Sequence, residues 1–192
     1  ALGDHAADVA QLVKTSGSWR AVIVVGHSMG GAVALALASG ADGIKPTRVL
    51  GLGIKVAWRD DELVRLGDMA RAPARWFETR QDAVKRYLKV SGLAGLIAED
   101  SPEAEAGVAP GDGGWRLAAD PKTALVGAPR MRALIDAAQA PVHLARGEND
   151  RMVTRDQLRA YDPDAVDLPG IGHNAMVEKP SAVWEWIESR LA

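Results

Sequence analysis

The 192-residue sequence contains no cysteine and no uninterrupted apolar run that approaches the length of a membrane span. The lack of cysteine excludes a disulfide framework, thiolate chemistry and any cysteine-ligated metal site. A bilayer-crossing helix needs about 20 predominantly apolar residues, so no membrane-spanning helix is expected, and no signal segment is recognisable. We therefore expect a soluble, cytoplasmic protein that has no membrane partner.

An excess of charge of one sign is also lacking. The 23 basic and 25 acidic residues leave a net charge of −2 and are interspersed along the chain. Nucleic acids and anionic membranes select basic patches, so neither is expected as a partner. The histidines and carboxylates show no ligand spacing, and we expect neither a metal nor a cofactor. The length suits one domain with an inserted subdomain.

A strand followed at once by a helix is indicated around Ser28. Residues 21–25 are apolar and mostly β-branched, which is typical of a strand buried on both faces of a parallel sheet, and residues 32–38 favour a helix. Between them lies the motif Gly26-His27-Ser28-Met29-Gly30. The sharp reversal should leave no room for side chains beside the serine, which explains the glycines. The pattern is a nucleophile elbow, with Ser28 as nucleophile and the Met29 N–H as oxyanion donor.

Two later strands lead to the other groups that a serine nucleophile needs. A strand over residues 141–146 precedes Asp150, and a short strand over residues 165–168 precedes His173 in a glycine-flanked loop. Because the carboxyl ends of parallel strands meet at one edge of a sheet, we expect Ser28, Asp150 and His173 to converge. A serine hydroxyl needs a base, and that base needs an acid that orients it. The spacing predicts His173 as the base and Asp150 as the acid.

Each of these roles has a structural alternative. Asp150 could be a turn or capping residue, and His173 a loop histidine without chemistry. His5 and His143 fit a base less well, because they fall in the opening helix and inside a strand. His27 adjoins the nucleophile, where its side chain is expected to point elsewhere.

The rest of the chain separates into a core and an insertion. A second strand is predicted over residues 47–54, and residues 58–140 have helical segments divided by Gly/Pro/Asp-rich breaks. Residues 101–120 are expected to be loop. The predicted organisation is a core of residues 1–57 and 141–192, with a helical insertion over residues 58–140. Glu148, in the same turn as Asp150, is interpreted as a solvated carboxylate.

The order Ser28, Asp150, His173 resembles that of α/β-hydrolase-fold serine hydrolases, and the resemblance to the C-terminal part of that fold covers essentially all residues. It implies a partial α/β-hydrolase fold: a parallel sheet flanked by helices, with a helical cap inserted. It further implies that four strands and the second oxyanion donor precede this segment. We therefore expect a fragment of a longer hydrolase that is impaired alone. In some members the acid follows an earlier strand, where Asp60 and Asp61 stand here; we favour Asp150.

The resemblance also implies a function. We expect hydrolysis of a small carboxylic ester or related acyl substrate through an acyl-enzyme. The candidate substrate-binding residues are His27, Trp58, Trp76 and Trp115, since aromatic rings suit an apolar pocket under a cap, although the tryptophans could equally form the core of the cap. The same triad can also cleave carbon–carbon bonds, lactones or amides, and a non-catalytic ligand-binding member of the fold is the other alternative. The oligomeric state is left open.

Overall fold

The computed structural model describes residues 1–191, which contain nine α-helices and six strands. In chain order these are α1 (Leu2–Thr15), β1 (Ile23–His27), α2 (Met29–Ala38), β2 (Arg48–Leu52), α3 (Asp60–Arg71), α4 (Arg80–Val90), α5 (Pro102–Ala106), β3 (Val108–Gly111), β4 (Gly114–Leu117), α6 (Met131–Ala137), β5 (Val142–Gly147), α7 (Arg155–Arg159), β6 (Val166–Leu168), α8 (Ala175–Glu178) and α9 (Pro180–Glu188). A 3-10 helix, Pro121–Val126, precedes α6. None of the helices in this described part is both long and apolar enough to cross a membrane.

The chain divides into two compact units. The first consists of residues 1–58 together with the chain from residue 128 onward, and the second is Arg59–Gly127. The second unit therefore ends earlier than the predicted insertion of 58–140. Helix α6, which the prediction placed in the insertion, belongs to the first unit because Met131 packs in the same core cluster as Leu35 of α2.

A parallel four-stranded sheet is the centre of the first unit. Its strand order is β1-β2-β5-β6, and every pair is parallel. Side chains alternate between the two faces of a strand. On β2, Val49 packs in one core cluster with residues of α2, α6 and α7, whereas Leu50 and Leu52 pack in another with residues of α8 and α9. The predicted fold class, a parallel sheet flanked by helices, is confirmed.

Strand β1 is buried on one face only. Val24 packs against the core, but Ile23 and Val25 are 39% and 46% exposed. Among the described residues, β1 has β2 as its single neighbour in the sheet. The expectation that this strand is buried on both faces is therefore wrong, because no helix or strand of the described chain covers the face that carries Ile23 and Val25.

The second unit contains helices and an antiparallel hairpin. Strands β3 and β4 pair with Gly111 opposite Gly114, which leaves Asp112 and Gly113 as the turn. Residues 101–120 therefore form a short helix and a hairpin, and the expectation of a loop there is wrong. Asp-Gly is a strong two-residue hairpin signal, and it was hidden by the Gly/Pro/Asp-rich composition. Backbone hydrogen bonds of 2.7 and 2.8 Å also join Phe77 to Trp115 on β4.

The turn between β1 and α2 explains two of the three glycines around Ser28. A Cβ on Gly26 would lie 2.4 Å from the carbonyl oxygen of Gly30, and one on Gly31 would lie 2.4 Å from the side chain of Ile54. A Cβ on Gly30 would meet no described atom within 4 Å. The expected lack of room is therefore confirmed at Gly26, before the serine. At Gly30, after the serine, the expectation is wrong. The crowded position after the serine is Gly31, which faces back toward the sheet.

Alanine substitutions at these glycines should differ sharply. We expect Gly26→Ala and Gly31→Ala each to lower the free energy of unfolding by about 1–3 kcal/mol, because the added methyl group overfills a packed site. Gly30→Ala should leave it unchanged or raise it slightly, since alanine favours helices more than glycine does. Urea unfolding followed by circular dichroism measures all three. Equal losses in the three variants would contradict this account.

A buried aspartate accepts a hydrogen bond from β5 just before the pairing of β5 with β6 begins. The two strands pair only from Ala145 and Val166 onward. The preceding backbone N–H, that of Leu144, donates instead to Asp162 Oδ2 at 2.7 Å. Asp162 is 8% exposed, and its Oδ1 accepts from the N–H of Asp164 at 3.0 Å. One side chain thus accepts hydrogen bonds from two backbone N–H groups, beside the point where β5 and β6 begin to pair.

Removal of this carboxylate should weaken the fold. We expect Asp162→Ala to lower the free energy of unfolding by about 1–3 kcal/mol, because the buried N–H of Leu144 would lose its acceptor. Asp162→Asn keeps an oxygen acceptor and should cost less. Asp164→Ala is the matched control, since that side chain is exposed and should be replaceable with little effect. Urea unfolding measures the three variants. A loss of unfolding free energy in Asp164→Ala as large as that in Asp162→Ala would contradict this role of Asp162.

Candidate active site

Ser28 stands at the turn between β1 and the start of α2. Its φ is +52°, and within the described chain it is the one residue other than glycine with a positive φ. Residues with a side chain rarely adopt this conformation. Two backbone hydrogen bonds hold it: its N–H donates to Leu52 O at 2.9 Å, and its carbonyl accepts from the N–H of Gly31 at 3.0 Å. The strand β2 and the first turn of α2 thus fix the serine in a strained turn.

The N–H of Met29 is available as a donor beside the serine. Met29 is the first residue of α2, so its N–H has no carbonyl partner within the helix. Among the described residues, no acceptor takes this N–H. The start of a helix also concentrates partial positive charge. This geometry suits the predicted oxyanion donor, and the role itself stays a prediction.

Asp150 and His173 are hydrogen-bonded to each other. His173 Nδ1 lies 2.8 Å from Asp150 Oδ2, and the Asp150 side chain is fully buried. Its second oxygen, Oδ1, accepts from the N–H of Met152 at 2.7 Å. A proton on Nδ1 that is donated to the carboxylate leaves Nε2 of His173 as the free basic nitrogen.

The carboxylate of Asp150 is stabilised in its charged form. Burial alone would raise its pKa, but the hydrogen bonds from His173 and from the Met152 N–H, with the positive charges of His173 and Arg146, hold the pKa below its ordinary value. Asp150 is therefore ionised at neutral pH. A charged acid is what a base needs if it is to become an imidazolium during a reaction.

Ser28 and His173 belong to the same compact unit. His27, the residue before the serine, donates from Nε2 to His173 O at 2.8 Å, and the two imidazole rings lie 4.6 Å apart. The expectation that the His27 side chain points elsewhere is therefore wrong. No hydrogen bond joins the Ser28 hydroxyl to His173 within residues 1–191. Such contacts are often long in free enzymes and tighten when substrate binds.

Arg146 supports the loop that carries Asp150, a role that the sequence analysis missed. Its Nη2 donates to the carbonyl oxygens of Glu148 and Asp150 at 2.7 and 2.9 Å, and its Nη1 pairs with Asp167 at 3.0 Å. The residue is 9% exposed. A buried guanidinium needs such partners, and its planar fork of donors suits two adjacent carbonyls. An arginine inside a predicted apolar strand was the signal that could have revealed it.

Three hydrogen bonds fix the loop that carries His173. The carboxylate of Glu148 accepts from the N–H of Gly170 at 2.8 Å, and the Asn149 N–H donates to Ile171 O at 2.8 Å. Glu178, on α8, accepts from the N–H of Gly172 at 2.7 Å. Glu148 is exposed, as expected, but it is not merely solvated, because it joins the acid loop to the histidine loop.

Gly53 lies directly against the Asp150–His173 pair. It follows β2 with a φ of +59°, and a Cβ there would be 3.1 Å from Asp150 Oδ2 and 3.3 Å from His173 Nδ1. Both the backbone conformation and the close approach favour glycine at this position. The strand pattern alone did not distinguish this glycine from its neighbour Gly51.

The alternative acids lie in the second unit, and one of them, Asp61, has another partner. Asp60 and Asp61 begin α3. A hydrogen bond from Arg59 lowers the pKa of Asp61 to about 2. Since His173 Nδ1 is already bonded to Asp150, the geometry favours Asp150 as the acid.

The predicted substrate-binding tryptophans are divided between the two units. Trp58 is partly buried against the core of the first unit. In the second unit, Trp76 lies against Gly111 and Gly113, and Trp115 is part of β4. Substrate contacts of these rings stay predictions. Within residues 1–191, no group of three or more His, Asp or Glu side chains is arranged to hold a metal ion.

Several solved structures resemble this chain along nearly its whole length. The crystal structure of E-2-(acetamidomethylene)succinate hydrolase is 26% identical, with a TM-score of 0.73, and the match covers 98% of this chain and 72% of the other. The Mycobacterium tuberculosis esterase Rv0045c is 19% identical, with a TM-score of 0.72 over 100% of this chain and 69% of the esterase. A thermophilic esterase from Thermogutta terrifontis is also 19% identical, with a TM-score of 0.66 over 100% and 72%.

No curated protein matches the chain. The model of the alpha/beta hydrolase family matches residues 1–186, which is nearly the whole sequence. This match confirms the resemblance drawn from the order of the nucleophile, acid and base, and it agrees with the parallel sheet and with the hydrolases among the similar structures. The chain is therefore a member of the alpha/beta hydrolase family.

Proposed function

We propose that the chain is the catalytic part of a serine hydrolase that cleaves a small carboxylic ester or related acyl compound. The observation that carries the proposal is the hydrogen bond between buried Asp150 and His173. The loop of His173 is in turn joined to the strand before Ser28 through His27. A serine in a strained turn, a base with its tautomer set by a charged acid, and a backbone donor at a helix start are the parts that acyl transfer requires.

The reaction follows from these roles. Ser28 Oγ attacks the carbonyl carbon of the substrate, and its proton passes to His173 Nε2. The negative charge that develops on the carbonyl oxygen is stabilised by the N–H of Met29, and the positive charge on His173 by Asp150. His173 then gives the proton to the leaving alcohol. Water, activated by His173, releases the acid and restores the Ser28 hydroxyl.

Amide hydrolysis is the second candidate. The structure with 26% identity is of a protein named as an E-2-(acetamidomethylene)succinate hydrolase, and that name describes an acetamido compound. The same triad serves either bond. An amine leaves less readily than an alcohol, so an amide depends more strongly on proton donation by His173 at the collapse of the tetrahedral intermediate. A panel of esters and matched amides separates the two candidates.

Labelling with a fluorophosphonate tests the proposed nucleophile. We expect a single adduct on Ser28, because the phosphonate reacts with a serine whose proton is taken by a base. Ser28→Ala should abolish the adduct, and His173→Ala should slow it by at least about 10³-fold, as in other serine triads. Intact-mass and peptide mass spectrometry locate the label. Circular dichroism of each variant shows that it is folded, and absence of label on the folded wild-type chain would refute the proposal.

The pairing of Asp150 should also appear in the pH dependence of stability. Its pKa is lowered in the folded state, so the unfolded chain binds more protons as the pH falls toward that pKa. The stabilisation is complete above the unfolded pKa of about 4 and is lost below it. We expect the free energy of unfolding of the wild type to fall more steeply than that of Asp150→Asn between about pH 5 and pH 3. Asp164→Asn is the control and should follow the wild type; an Asp150→Asn curve parallel to the wild type would contradict the pairing.

A further inference from the structure

We infer that His27 is a positioning residue that holds the catalytic base in register with the nucleophile, by donating its Nε2–H to the backbone carbonyl of His173. The inference deepens the proposed function and rests on it. The two histidines are separated by 146 positions in the chain, yet Nε2 of His27 lies 2.8 Å from the His173 oxygen. Their rings are 4.6 Å apart and tilted by 52°.

Three other hydrogen bonds of the histidine loop reach it from a different direction. Glu148 and Asn149 join it to the acid loop, and Glu178 joins it to α8. These bonds fix the position of His173 relative to Asp150. They do not reach the nucleophile, which is on a different strand.

The bond from His27 does reach the nucleophile strand. His27 is the last residue of β1, and the next residue is Ser28. A donor on this residue therefore ties the base to the strand that carries the nucleophile. Because a displacement of about 1 Å in a reacting group can cost about 10²-fold in rate, a tether of this kind acts on the chemical step more than on substrate binding.

The charge state of His27 fits this role. Burial lowers its pKa, and the nearby His173 lowers it further, against the opposite effects of its bond to the His173 carbonyl and of the Asp150 charge. His27 is consequently neutral at pH 7. The imidazolium that forms on His173 during acylation therefore has no second positive ring beside it. The bond requires the tautomer of His27 that carries its proton on Nε2.

Two substitutions separate the hydrogen bond from the ring. His27→Phe fills the space but has no donor, whereas His27→Gln places an amide N–H at about the reach of Nε2. The experiment measures the rate of fluorophosphonate labelling of Ser28 at a series of probe concentrations. It gives two separate quantities, the limiting rate constant and the probe concentration at half-saturation. We expect the Phe variant to lose about tenfold in the limiting rate with little change in half-saturation, and the Gln variant to stay within about threefold of wild type. His5→Phe, on α1, is the matched histidine control and should react like wild type.

A second readout does not depend on reactivity. The carbon-13 chemical shift of the His173 carbonyl reports the hydrogen bond that it accepts, and it should move in the Phe variant and return toward the wild-type value in the Gln variant. Labelling of the Phe variant within twofold of wild type would overturn the inference, and so would equal losses in the Phe and Gln variants. An unreactive wild-type chain would overturn the proposed function instead. In that case, an identical carbonyl shift in all three proteins would overturn the tether as well, whereas a shift confined to the Phe variant would support it.

Discussion

The position of β2 between β1 and β5 is the constraint on which the rest of the site depends. Both of its neighbours are parallel to it, so three strand ends point to the same edge. The hydrogen-bond ladder continues past these ends: Ser28 N–H donates to Leu52 O at 2.9 Å, and Gly53 N–H donates to Ala145 O at 2.7 Å. The nucleophile turn and the glycine that packs against Asp150 are thus extensions of the sheet, and their positions follow from its register.

Buried charge at this edge is tolerated because each charged group makes several hydrogen bonds. An isolated carboxylate in the interior would cost several kcal/mol and would take up a proton instead. Asp150 avoids this because both of its oxygens accept hydrogen bonds and the guanidinium of Arg146 lies nearby. Both Nη atoms of Arg146 are hydrogen-bonded in turn, to Asp167 and to two carbonyls of the acid loop, whereas its buried Nε has no partner among the described residues. The same contacts therefore hold the loop in shape and keep the acid ionised, so that stability and chemistry at this edge cannot be changed independently.

The sequence predicted the parts of the molecule whose chemistry is local. The nucleophile elbow needs a strand, a turn and a helix within about fifteen residues, and the acid and base are each expected after a strand, so pattern alone predicted Ser28, Asp150 and His173 as candidates, two of which are hydrogen-bonded to each other. Contacts between distant residues escaped it. Gly31 is crowded by Ile54 of the next strand connection, and Glu148 meets the backbone of Gly170. His27 reaches His173 across 146 positions. No periodicity in the chain records such pairs, because they exist only once the strands have assembled.

The separation of the chain into two units has a mechanistic consequence. Every group in the proposed chemistry, from the Met29 N–H to His173, belongs to the first unit, and so do Arg146 and His27. Residues 59–127 are inserted between β2 and β5, yet those two strands pair directly. Since the entropic cost of closing a loop rises only slowly with its length, the sheet accepts an insertion of this size at little expense to the register. The contacts described for Ser28, Asp150 and His173 therefore come from the first unit, and we expect substitutions inside the insertion to leave those contacts in place.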